Sequence, residues 1–171
     1  MKVTCSELVA VILLVKTNLA AIISIATPYW AETLVGHKGL MAVCINSCEW
    51  YIDHDFFLQR NLPDWFKATQ GLMSVGLGLG LIALLVATLS LCCTCHSCNP
   101  HHPICGLLLT SCISMAVGIV IFGVKAHDDW GIELEKGLYG SFGWSFWVGI
   151  GATAMAFLTA CIYCCMGRKR H

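Results

Sequence analysis

Residues 8–27, 68–91, 104–124 and 139–163 run almost unbroken through apolar side chains, and the stretches between them are polar. Each run has roughly the 20 residues that an α-helix needs to cross about 30 Å of hydrocarbon. The pattern predicts four transmembrane helices. A β-barrel is excluded, because its strands would alternate between lipid and lumen, whereas a helix satisfies every backbone N–H and C=O within its own segment. Lys2 ahead of an apolar core at 9–15 is also the layout of a signal peptide. No small-residue cleavage site follows at the usual distance, however, and the apolar pattern resumes over 19–26, so a retained span is expected. The fold class expected is an all-α membrane protein with a small extracellular sheet, one tetraspan domain over 1–171. Its outer loops are 28–67 and 125–138, and 92–103 forms a short loop on the other face.

Composition agrees: 57% of the 171 residues are hydrophobic, 12% are charged, and mean hydropathy is +0.75. The formal net charge of zero conceals an asymmetry, since nine of the ten acids fall in two connecting segments. Glu32, Glu49, Asp53, Asp55 and Asp64 lie between the first two helices; Asp128, Asp129, Glu133 and Glu135 lie between the last two. With four spans, these two segments share one side of the membrane and the termini share the other. Basic residues barely choose between the sides, because Lys2, Arg168, Lys169 and Arg170 flank one face and Lys38, Arg60 and Lys136 the other, with Lys67 and Lys125 at its edge.

The twelve cysteines decide the orientation, because disulfides persist outside the cell and thiols stay reduced in the cytosol. Cys44 and Cys48 are the only two in the acidic segments. Separated by Ile45, Asn46 and Ser47, they would face each other across a tight hairpin, within disulfide reach. Read as a staple, the pair puts the acidic loops outside and both termini in the cytosol; free thiols, or bonds to other cysteines, are the alternative. On the opposite face Cys92, Cys93, Cys95 and Cys98 follow the second helix, and Cys161, Cys164 and Cys165 precede the basic tail. Cysteines at cytosolic helix ends are candidates for S-palmitoylation, and Arg168 to Arg170 would attract anionic headgroups. The run CCTCHSCNPHH also has C-x-x-C spacings, with His96, His101 and His102 near, which would permit zinc; no second matched pair completes a known arrangement, and no metal or cofactor is expected.

Small residues recur four apart on three helices: Gly76 and Gly80 on the second, Ser114 and Gly118 on the third, Ser145 and Gly149 on the fourth, followed there by Ala152, Ala156 and Ala160. Such spacing lets helix backbones approach closely, within this bundle or against another membrane protein. Lys16 lies mid-way along the first helix, and no acid in the other three apolar runs can pair with it. It is expected to turn inward, toward backbone carbonyls or Asn18, or to be held neutral; a transporter acting through Lys16 is a further class to weigh. Tyr29, Trp30, Trp65, Phe66, Trp130 and Tyr139 near the outer helix ends suggest an interfacial aromatic belt. No G-x-S-x-G, H-E-x-x-H or phosphate loop occurs, and the tail is the only dense basic run, so neither an enzyme nor a nucleic-acid binder is expected.

Together these pieces resemble the claudin superfamily, and within it the branch of peripheral myelin protein, the epithelial membrane proteins and the lens fibre membrane intrinsic protein. ATPYW ends the first helix on Trp30, and GLMAVCINSC is similar to the family signature at Gly39, Leu40, Cys44 and Cys48. DWFKATQGLMSV resembles the entry to the second helix, with Trp65 and Met73 aligned, and YGSFGWSFWVGI the start of the fourth. The resemblance implies a left-handed four-helix bundle under a small antiparallel sheet closed by a Cys44–Cys48 bond. Three departures stand out. Met41 replaces the signature tryptophan, the cysteines are closer and the first loop shorter than in most claudins, and RKRH lacks the apolar residue a PDZ groove takes. The outer loops carry no N-x-S/T sequon.

The function expected is that of a plasma-membrane tetraspan at cell–cell junctions, acting in adhesion or a paracellular barrier through its outer loops. Its expected partners are membrane lipid and other tetraspan or membrane proteins, in cis and in trans. The alternative is an auxiliary subunit that binds a channel or receptor in the same membrane.

Overall fold

The structure, a computed structural model, describes residues 5–51, 62–92, 101–133 and 140–169. Four long helices carry it: α1 (Cys5–Ala26), α2 (Asp64–Cys92), α3 (His101–Trp130) and α4 (Trp144–Lys169). All four are long and apolar enough to cross a membrane. They close a ring in which α1 packs on α2 and α4, and α3 on α2 and α4. Five three-residue strands, β1 (Ala31–Thr33), β2 (Gly36–Lys38), β3 (Ala42–Cys44), β4 (Cys48–Trp50) and β5 (Gly140–Phe142), form one antiparallel sheet of order β4-β3-β2-β1-β5.

The element boundaries depart from hydropathy in two places. The run read as helix from 139 supplies strand β5 before α4 begins at Trp144. The apolar GSF stretch is drawn into β1, with Ala31 opposite Phe142 and Thr33 opposite Gly140. Likewise α3 continues past the apolar run to Trp130, so Asp128 and Asp129 ride on a helix instead of a loop. It stops at Gly131, whose φ of 62° suits a residue without Cβ and whose N–H donates to the His127 carbonyl at 3.1 Å.

Polar side chains join the helices where apolar drive is absent. The Asn18 amide donates to Leu14 O at 2.9 Å and Gly80 O at 3.2 Å, linking α1 to α2. Ser111 donates to Gly76 O at 2.6 Å and Ser114 to Leu72 O at 2.8 Å, linking α3 to α2, and Ser24 donates to Ser145 O at 2.8 Å, linking α1 to α4. Each spares a buried hydroxyl or amide from lying unpaired in hydrocarbon. The small residues lie in these same seams. A Cβ added at Gly76 would overlap Met115, one at Gly80 would reach Asn18 Oδ1 at 2.7 Å, and one at Gly149 would reach Ser24 Oγ at 2.7 Å. Gly118 faces Leu72 and Met73. Each of these glycines meets a neighbouring helix of this chain.

Lys16 corrects the sequence reading. Leu14, Asn18, Ala21 and Ile25 form the buried stripe of α1, and Lys16, two residues or about 200° from Asn18, is exposed on the outer side. It does not line the bundle interior, so transport through Lys16 loses its structural basis.

Candidate interaction surfaces

Trp30 anchors the outer end of the bundle. It is fully buried, edge-on to Phe122 at 4.8 Å and Phe146 at 5.6 Å between ring centroids, and its indole N–H donates to Ser24 O at 2.6 Å. Phe66, Trp65 and Trp130 continue the cluster, with the Trp65 and Trp130 rings 5.0 Å apart. The expected aromatic belt is therefore largely an internal cluster: Trp30 and Phe66 are fully buried and Trp65 and Trp130 half-buried. Among the described residues, the exposed rings near this end include Trp50, Trp144 and Trp147. Tyr139 lies outside the described residues.

The sheet grows from that anchor. Trp30 N–H donates to Lys38 O and Gly143 N–H donates to Trp30 O, each at 3.0 Å, so the residue that fills the core also starts both strand pairings. A Cβ at Gly39 would overlap Pro28, and this close approach explains a glycine there. The neighbouring Leu40 is fully buried, and its carbonyl accepts from the Gln70 side chain of α2. Met41, where the resemblance leads one to expect tryptophan, is half-buried against the aromatic cluster and accepts from Tyr51 N–H at 3.0 Å. Burial pushes the Tyr51 phenol up to about 12. Lys38 sits over the Trp130 ring, its Nζ 4.5 Å from the centroid, and ties β2 to the end of α3.

Cys44 and Cys48 are bonded directly across the β3–β4 pair, their Cα atoms 4.1 Å apart. The bond closes the end of the sheet remote from the helices. The β1–β2 turn ends at the same level, since Thr33 pairs with Gly36 and Cys44 pairs with the adjoining His37. At this distal edge three apolar side chains point into solvent: Leu34, 88% exposed, Val35, 70%, and Ile45, 56%. Sequence reasoning passed over them. The signal was present as an apolar dipeptide, Leu34–Val35, placed at a turn where polar residues are usual.

Of the outer acids, Glu49, Asp64, Asp128, Asp129 and Glu133 are exposed and Glu32 is half-buried; Asp53, Asp55 and Glu135 lie outside the described residues. Asp64 makes a 3.9 Å contact with Lys67 at the surface. On the cytosolic side Cys161, Cys164 and Cys165 are exposed along the last turns of α4, as is Cys5, which the sequence reading did not single out, at the start of α1. Cys93, Cys95 and Cys98 fall outside the described residues, and Cys92 ends α2.

A model of the PMP-22/EMP/MP20/Claudin family matches residues 3–163, nearly the whole chain. The chain belongs to this family. Among curated proteins it is similar to the "p53 apoptosis effector related to PMP-22" of Danio rerio, 29% identical over 105 residues. That match covers 61% of this chain and spans about half, 53%, of the relative. Family membership accords with the four spans and the small antiparallel sheet: this is a claudin-like, multi-pass membrane protein.

Proposed function

We propose that this claudin-like protein is a non-enzymatic component of cell–cell contacts at the plasma membrane, acting in adhesion or as part of a paracellular barrier through its outer sheet. The observation that carries the reading is the distal edge. Leu34, Val35 and Ile45 present apolar side chains to solvent at the end of the sheet away from the membrane. A disulfide and a buried tryptophan hold the strands beneath them. Exposed apolar side chains on a rigid support suit contact with another protein. The partner engaged is a family member on the apposed cell, with further copies or other tetraspans alongside in the same membrane. Exposed acids around the sheet would draw cations into any pore it lines. Acyl chains on Cys161, Cys164 and Cys165, and on the cysteines after α2, would fix the cytosolic end to the inner leaflet beside Arg168.

The test is expression of a tagged copy in contact-forming cells without tight-junction proteins. Enrichment is expected at borders shared by two expressing cells and not at borders with a non-expressing neighbour. The triple variant Leu34→Ser, Val35→Ser, Ile45→Ser should reach the surface without enriching. Uniform distribution of the wild-type protein would sink the contact reading.

A further inference from the structure

Lys16 is the twelfth of the 22 residues of α1, so about 16 Å of helix lies on its N-terminal side and a similar length beyond it. It is the only Asp, Glu, Lys or Arg in the four apolar runs, and its side chain is exposed on the outer side of the bundle. One and two turns away on the same face lie Val9, Ile12, Leu19 and Ile23, all exposed and all apolar. The four-carbon stem of a lysine covers only part of the distance to either interface, so snorkelling would leave the ammonium within or at the edge of the hydrocarbon.

The four apolar runs hold no carboxylate to pair with this ammonium. The acid of α1, Glu7, is nine residues away toward the cytosolic end, 3.9 Å from His101 of α3. A second copy brings no carboxylate at that depth either, because its apolar runs are the same. An ionisable group inside a membrane normally turns inward or pairs, and here it does not turn inward. We propose that the Ile12–Lys16–Leu19 face of α1 docks a transmembrane helix of a different protein, one that carries an Asp or Glu at mid-bilayer depth. Pairing would replace two separate charges in hydrocarbon by one neutral contact, with the aliphatic residues above and below Lys16 packing around it. This association is lateral, within one membrane, and independent of contact across the intercellular gap.

The experiment reconstitutes the labelled full-length protein in neutral bilayers with a synthetic polyleucine span carrying one central Glu, and reads association by energy transfer. Wild type should associate at least tenfold more strongly with that span than with spans whose central residue is Leu or Lys. Lys16→Leu, which alters an exposed position and leaves the core intact, should abolish the difference, and Lys16→Glu should shift the preference to the central-Lys span. Leu19→Trp on the docking face should weaken association, and Val75→Trp on the exposed side of α2 should not. Equal association of wild type and Lys16→Leu with the central-Glu span would overturn the proposal. So would an effect of Lys16→Leu confined to binding of anionic-lipid vesicles, since the ammonium would then serve headgroups.

Discussion

The two ends of the bundle are packed from different materials. Toward the extracellular side the core is built of large rings, Trp30, Phe66, Phe122 and Phe146, with Tyr51 and Leu40 brought in by the sheet. Toward the cytosol it is built mainly of small and aliphatic residues, Ala10, Leu14, Ala83, Ala87, Leu108 and Ala160, closed by Tyr163. Large rings leave little freedom of position and can brace a sheet that stands above the membrane. Alanines let helix backbones come together, and the fit then depends on nothing bulky intervening. The outer end is thus organised to hold loops in place, and the inner end to hold helices together.

If that contrast is right, truncation should hurt most outside and enlargement most at the small-residue seams. Trp30→Ala is expected to have the largest effect, about 3–5 kcal/mol of destabilisation, because it empties the ring cluster and removes the residue from which both strand pairings start. Thermal unfolding in detergent, with surface delivery in cells, would measure it. Where the two halves meet, Gly80→Leu should cost roughly 1–3 kcal/mol by forcing Asn18 away. Gly78→Leu, with open space around it, should cost nothing and gain up to about 1 kcal/mol in helix propensity. Equal effects at the two glycines would refute the packing assignment.

Replacing Cys44 and Cys48 by serine should remove about 2 kcal/mol at most, since a loop this short restricts the unfolded chain little. Helix content by circular dichroism should be unchanged while border enrichment falls, because the bond pins the edge that carries Ile45. The last effect concerns pH and appears only in strong alkali. Burial raises the Tyr51 phenol from the ordinary tyrosine value of 10.0 to about 12 in the folded protein. The stability its burial confers is complete below about pH 10 and is lost as pH rises toward 12. Tryptophan fluorescence of the outer cluster should report that loss in wild type, and Tyr51→Phe should flatten it.

Much of this fold was legible because lipid imposes a length and a composition on each span. The disulfide was legible because Cys44 and Cys48 stand alone among the acidic segments. Other features were hidden for physical reasons. Hydropathy cannot separate a half-buried strand from the start of a helix, so β5 was absorbed into the fourth apolar run. It also ends a helix where side chains turn polar, although the α3 backbone continues to Trp130, which rests on Trp65 and under Lys38. The facing of Lys16 was open to the helical period: it falls opposite Asn18, and the inward expectation weighed the cost of charge in lipid above the geometry of the stripe. The apolar pair at 34 and 35 was plain in the chain, but only the strand register reveals that it shares an edge with Ile45.

The most direct test of contact through the distal edge needs no cell. Purified protein would be reconstituted in two vesicle populations, outer loops outward, and vesicle clustering followed by light scattering. Clustering that requires the protein in both populations, and is lost with Leu34→Ser, Val35→Ser, Ile45→Ser, is the predicted result. Absence of clustering by the wild-type protein, or clustering that the triple variant supports equally well, would contradict it.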